Sequence, residues 1–415
     1  MHGLGVVCGL AAGVWLGGAE APTKLVNIGI SPFAISLAMV LGVFVARWTL
    51  PTLLKGTDYV FRDLFTRPHL IVWAVFAGAL WAVANTLTVF AIRDVGLSIA
   101  FPLWNTNSLI GIFWGWLLFQ EMRGAGFRTV SRVLGGALTI VVAAVLLGYV
   151  TVQHTGALHA QAVHGIVAAF GASLLWGTMY VPYRKAYISG MNPLSFVTVF
   201  TVGELGTMAL LAATFGGGVS QLHAELSAAR HVVFWIFLGG FCWVVGDLFQ
   251  QYATKYIGIG RGIPLSNTNQ LWGLAWGALV FGELAHVGGT SRWLVVLGSA
   301  LMILGAMFIS TAAAPACEQA SGRDAISREC EKYGLSFEEC VAAQLGSLHG
   351  EEKSRRPWWD VLIVAGAVAV FLWLGLQVRV PGLAINFAWV AALCAVLLVA
   401  AAGCGWLLWR RTRFS

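Results

Sequence analysis

Charge is scarce in this sequence. Only 10% of its 415 residues are Asp, Glu, Lys or Arg, against roughly a quarter in soluble domains. With 58% hydrophobic residues, water cannot be the main solvent. Cysteine is scarce too. Seven residues, widely scattered, exclude a disulfide framework. No zinc spacing occurs: Cys317, Cys330 and Cys340 stand 13 and 10 residues apart, and no metal site is expected. No G-x4-G-K-S/T segment is present, which excludes ATP-driven pumping through that motif. No catalytic constellation is visible, so neither an enzyme nor a cofactor is expected. The net charge of +7 is spread thinly between apolar runs, which speaks against nucleic acid as a partner. Residues 3–18 followed by Ala19-Glu20-Ala21 could pass for a signal peptide, but no Lys or Arg precedes them. They are read as a retained first span.

What is abundant is apolar sequence. A membrane-crossing helix needs about 20 such residues, and the rule places spans near 2–22, 28–50, 69–92, 94–119, 129–150, 162–182, 192–216, 231–254, 257–282 and 290–312. A polar stretch, 313–357, precedes two further spans near 358–377 and 385–409. Arg and Lys concentrate in alternate loops, among them Arg47, Lys55, Arg62 and Arg67 in the first. The positive-inside rule then puts both termini in the cytoplasm, and the cell (inner) membrane is the expected location.

The sequence repeats itself. Residues 78–121 read GALWAVANTLTVFAIRDVGLSIAFPLWNTNSLIGIFWGWLLFQE, and 240–283 read GFCWVVGDLFQQYATKYIGIGRGIPLSNTNQLWGLAWGALVFGE. Seventeen of 44 positions agree without a gap. The domains are therefore 1–150 and 162–312, a cytosolic insert at 313–357 and two extra helices in 358–415. Five spans per half is odd, so the second half lies inverted relative to the first. Inverted repeats are the architecture of alternating-access carriers. The fold class is an all-α integral membrane protein with a 5+5 core and a C-terminal hairpin.

W-x3-N/D followed by G-x5-P-L-x-N-T-N, a Gly- and aromatic-rich stretch and a terminal Glu resembles the drug/metabolite transporter superfamily, and within it the glucose/ribose porters and the rhamnose–proton symporter. The resemblance covers about residues 1–312. It implies secondary transport of a monosaccharide or similar small polar solute, with protons as a candidate coupling ion. An exporter of metabolites or drugs and a non-transporting membrane sensor or partner subunit are the alternatives.

Ionisable groups inside a bilayer mark function by default. Asp247 lies well inside a span, and its repeat partner is Asn85. Glu204 sits mid-span, and Glu20 near a span end. These three acids are the proton-coupling candidates; structural hydrogen bonding is the bland alternative for each. Asn105, Asn107, Asn267 and Asn269 follow Pro102 and Pro264, where proline frees a helix carbonyl and kinks the chain. Amides there offer donors and acceptors to sugar hydroxyls, or simply join helices. Trp81 and Trp243 stand one turn before Asn85 and Asp247 and share their face. These residues form the expected substrate site. Gly111-x3-Gly115 and Gly273-x3-Gly277 allow close helix approach, within the chain or in a homodimer. The 313–357 insert reads as a solvated linker with a short surface helix.

Overall fold

The computed structural model describes residues 1–19, 21–22, 30–95, 100, 103–152, 159–282, 288–346, 356–379 and 385–414. Glu20, Pro102 and Glu283 lie outside them. Nine of the described helices are long and apolar enough to cross a membrane. In chain order the first half holds α1 (His2–Ala19), α2 (Pro32–Lys55), the short α3 (Asp58–Thr66), α4 (His69–Val95), α5 (Asn107–Phe119) and α6 (Phe127–Val152). The second holds α7 (His159–Ile188), α8 (Pro193–Phe215), the short α9 (Val219–Ala228), α10 (Arg230–Ile257), α11 (Ile259–Ser266), α12 (Asn269–Ala275) and α13 (Gly289–Ser310). Helices α14 (Ala316–Tyr333), α15 (Phe337–Leu345), α16 (Trp359–Gly375) and α17 (Phe387–Thr412) follow.

Local chemistry sets the helix ends. Ser31 caps α2 by accepting from Ala34 N, and Pro32 opens the helix where no amide donor is needed. Asn192 and Pro193 do the same for α8. Gly258, at φ 82°, breaks the chain between α10 and α11, a conformation that glycine adopts without strain. The Glu121 carboxylate fills the space a side chain would need there, 2.6 Å from the position of a Cβ. It accepts from Ile259 N and Gly260 N at 3.0 and 2.9 Å. A carboxylate at a helix N-terminus is favoured by the helix dipole.

The halves exchange partners. Helices α1 and α2 pack on α10, while α7 and α8 pack on α4. Glycines at the crossings make this reciprocal. A Cβ on Gly42 would sit 2.1 Å from Phe237 O, and one on Gly203 1.9 Å from Val75 O. Gly78 faces Phe200 O and Gly240 faces Met39 O, each at 2.1 Å. Each contact is the other's counterpart in the repeat, at an offset of 161 in α2/α8 and 162 in α4/α10. Two three-helix units result, α1–α2–α10 and α7–α8–α4, each made from both halves. The small-x3-small glycines are used within the chain: Gly111 meets Ile263, Gly115 meets Glu121, and Gly273 approaches Gly17 O.

Three sequence-based expectations are revised. The second span does not end at residue 50. Helix α2 runs through Pro51 to Lys55, so Arg47 belongs to the membrane interior rather than to a loop. The ninth span is not one helix but α11, α12 and a π-turn over Trp276–Val280. The 313–357 insert is not a solvated linker where it is described. Glu318 of α14 binds Arg261 through both oxygens, at 2.6 and 2.8 Å. Glu329 pairs with Lys185 at 2.8 Å, and Cys340 of α15 lies against Gly190.

Candidate functional site: a neutral cavity between the repeats

Both NTN triplets fall where a span is interrupted. Asn105 and Thr106 form a turn before α5, and Asn267 and Thr268 form one between α11 and α12. Pro264 lies three residues before the second break. The threonine hydroxyls satisfy carbonyls that regular helix bonding leaves open, Thr106 at Leu103 O (2.6 Å) and Thr268 at Leu265 O (2.8 Å). Residues two apart can then face the same space, which a regular helix forbids.

The two breaks meet across the pseudo-twofold. Asn267 Nδ2 lies within donating distance of Asn105 O (2.9 Å), Asn107 Oδ1 (2.8 Å) and Ser108 Oγ (2.6 Å). Asn105 Nδ2 donates to Gln270 Oε1 at 3.3 Å. Interrupted helices meeting between inverted repeats are where carriers of this architecture place their binding sites.

A cavity of about 370 Å³ adjoins this junction, within the range of roughly 300–1,000 Å³ of small-molecule sites. Asn85, Asn105, Asn107, Asn267, Asn269, Gln250 and Thr88 supply polar lining. Trp104, Trp176, Tyr180 and Trp243 supply aromatic faces. Ile30, Pro32, Ile92 and Arg93 place its mouth at the face opposite the N-terminus. Arg93 is paired with Asp94 at 2.7 Å and half-exposed. Asn269 Oδ1 and Trp176 Nε1 are buried without a hydrogen-bond partner among the described residues. An acceptor and a donor left open beside one cavity are what a polar solute would satisfy.

Six of the eight expected substrate residues line this cavity: Asn85, Asn105, Asn107, Asn267, Asn269 and Trp243. Trp81 and Asp247 do not. Trp81 is buried beneath, edge-on to Trp243 with ring centroids 5.0 Å apart and to Trp176 at 5.9 Å. Asp247 lies one turn deeper, fully buried and paired with Arg47 at 2.9 Å. Arg47 also stands over the Phe200 ring, 4.4 Å from its centroid. In this structure the Asp247 carboxylate faces the Arg47 guanidinium and not the cavity. Glu204 is fully buried, and neither carboxylate oxygen has a hydrogen-bond partner among the described residues.

Sequence reasoning missed Arg47, because the span estimate stopped before Pro51. It also missed Trp176, Tyr180, Gln250 and Gln251. The signal for Gln251 was its i+4 spacing from Asp247. No group of three or more His, Cys, Asp or Glu residues is placed to hold a metal among the described residues.

Residues 163–311 match the EamA-like transporter family. A protein of Streptococcus pyogenes serotype M1, provisionally named for sugar uptake, is 25% identical over 254 residues, 59% of this chain and 82% of its own length. A similarly named protein of Listeria innocua serovar 6a is 22% identical over 239 residues, 57% of this chain and 77% of its own. Transmembrane protein 144 homolog B of Dictyostelium discoideum is 25% identical over 145 residues, 33% of this chain and 40% of its own. One solved crystal structure superposes with a TM-score of 0.50 at 18% identity, covering 74% of this chain and 96% of that one; it supports the fold alone.

Proposed function

Starting from the premise that this chain belongs to the EamA-like transporter family within the drug/metabolite transporter superfamily, we propose that it carries a neutral polyhydroxy solute, of monosaccharide size, across the membrane by alternating access. The observation that carries the reading is the lining of the cavity. Among the described residues its only formally charged lining residue is Arg93, already paired at the mouth. Amides supply both donors and acceptors, and tryptophan faces suit the apolar face of a sugar ring. Among the described residues the lining presents no carboxylate to a cation, which favours a neutral solute over a cationic drug. The names of the S. pyogenes and L. innocua relatives point the same way.

Of the proton-coupling candidates, Glu20 lies outside the described residues, and of the other two Glu204 is the one we favour. Asp247 has its counter-ion, whereas Glu204 is buried with neither ion pair nor hydrogen bond among the described residues. A carboxyl so placed is costly to ionise and is suited to bind and release a proton during the cycle. The face bearing the N-terminus is proposed to be cytoplasmic.

The test is uptake of labelled monosaccharides into proteoliposomes, with and without an inward proton gradient. Gradient-driven accumulation in the wild type that becomes gradient-insensitive in Glu204→Gln supports both parts. Saturable exchange indifferent to the gradient in both proteins removes the proton role. Absence of flux or binding for every sugar overturns the reading.

A further inference from the structure

The cavity is open at one face and sealed at the other, and the seal is continuous with the cavity floor. Along α10, Trp243, Asp247 and Gln251 recur at four-residue spacing and so form one stripe running from floor to N-terminal face. Trp243 lines the cavity. One turn on, Asp247 Oδ1 accepts from Gln251 Nε2 at 2.8 Å. Gln251 Oε1 in turn accepts from the Tyr187 hydroxyl of α7. Asp247 and Gln251 belong to the α1–α2–α10 unit, and Tyr187 to the α7–α8–α4 unit. This chain of bonds therefore crosses the boundary that must open when the cavity changes sides.

The chemistry fixes its direction. With Asp247 paired to Arg47, its Oδ1 is left to accept from Gln251. Gln251 must then turn its NH2 toward Asp247, which leaves its carbonyl oxygen facing Tyr187. Tyr180 and Tyr183 of α7 lie beside the Arg47–Asp247 pair, and Glu204 of α8 is the other titratable acid near it among the described residues.

Among the described residues the opposite face lacks the device. By the repeat offsets, Asp247, Gln251 and Arg47 correspond to Asn85, Val89 and Met208. Val89 lines the open cavity, and Met208 receives only a Thr86 hydroxyl at its sulfur. Two faces built from one repeat thus differ in the polar groups able to hold them shut.

From these contacts we infer that Asp247–Gln251–Tyr187 is a latch holding the N-terminal face closed, with Asp247, held by Arg47, as a positioning residue. The inference rests on the alternating-access reading above. A solute seated against Trp243 would act on the latch through the same helix. Other bonds also cross the boundary, including Arg184 Nη1 to Lys255 O at 3.1 Å and Trp48 Nε1 to Thr201 Oγ1 at 3.2 Å. They lie off the floor-to-face stripe and do not touch the ion pair.

The experiment measures the distance between spin labels at Leu53 of α2 and Val72 of α4. These are exposed positions at the N-terminal-face ends of the two units. The labels are carried on non-canonical amino acids, so the seven native cysteines stay untouched. Tyr187→Phe removes one hydroxyl and should raise the ratio of long to short distances about fivefold, the worth of one buried hydrogen bond. Asp247→Asn should raise it as well, because an amide no longer dictates the orientation of Gln251. Should Tyr187→Phe misassemble, Gln251→Met keeps the side-chain length, removes both polar ends and asks the same question. An unchanged distance distribution in a folded, monodisperse variant overturns the latch. The measurement needs no solute, so its failure is separable from failure of the sugar reading, which the uptake assay decides.

Discussion

At Asn269 and Trp243 the structure shows what each side chain offers a solute. Asn269 Oδ1 is buried beside the cavity with no partner among the described residues. If a solute hydroxyl donates to it, Asn269→Ala should weaken binding by about 1–2 kcal/mol, or roughly five- to thirtyfold. Trp243→Ala removes an aromatic face and exposes Trp81 beneath it, and a loss of at least about tenfold is expected. Titrating monosaccharide against the intrinsic tryptophan fluorescence of each variant checks both. Arg47 makes a different prediction. Arg47→Ala leaves Asp247 buried without its counter-ion, which costs about 3–5 kcal/mol in comparable pairs. The double variant Arg47→Ala/Asp247→Asn should recover most of that loss, because no unpaired charge remains. Thermal midpoints in detergent for the two singles and the double would measure the coupling. Asn85 and Asp247 were visible as a pair in the sequence, but their opposite fates were not. Asp247 meets Arg47 of α2, whereas Asn85 donates to Ser36 of the same helix at 3.3 Å.

Among the elements, the insert departs most from expectation. Its charged residues suggested solvation, yet Glu318 and Glu329 are spent on Arg261 and Lys185 of the core. Burial raises the Cys340 thiol to about 12, with Cys330 beside it adding to the effect. Cys317, on the same insert, is exposed. A maleimide at neutral pH should therefore modify Cys317 readily and spare Cys330 and Cys340 until the protein is unfolded. Mass spectrometry of the labelled peptides checks this; equal modification of all three would mean that α14 and α15 do not stay docked. The interrupted ninth span is another element the sequence announced only in part. Pro264 and the NTN spacing signalled distortion, but a chain break was required to turn Asn267 and Asn269 toward one space. That choice was made by contacts from the other half, where Asn267 meets Asn105, Asn107 and Ser108.

For the whole molecule, the exchange of helices between halves depends on four glycines. Gly42, Gly78, Gly203 and Gly240 let helix backbones approach so closely that an added Cβ would lie 1.9–2.1 Å from a carbonyl oxygen. No side-chain adjustment relieves a clash with backbone. Valine at any one of the four should force the three-helix units apart and sharply lower the monodisperse fraction on size exclusion. Valine at Gly206, which has nothing within 4 Å, should be tolerated far better. The pattern of four against one would show that the units are assembled from both halves.

The sequence by itself determined the membrane as solvent and the all-helical class, and it led to the expectation of two inverted halves and of distortion at the NTN triplets. These follow from quantities local in the chain: apolar run length, the parity of five spans, and a repeat read by alignment. Tertiary structure alone decided that Asp247 pairs with Arg47, that Trp81 packs on Trp243 from below, and that the insert docks on the core. It also decided that Gln251 reaches Tyr187 at one face while Val89 lines open space at the other. Each of these depends on residues far apart in sequence, and in a medium of low dielectric the partner across the interface sets the cost and the role of every polar group.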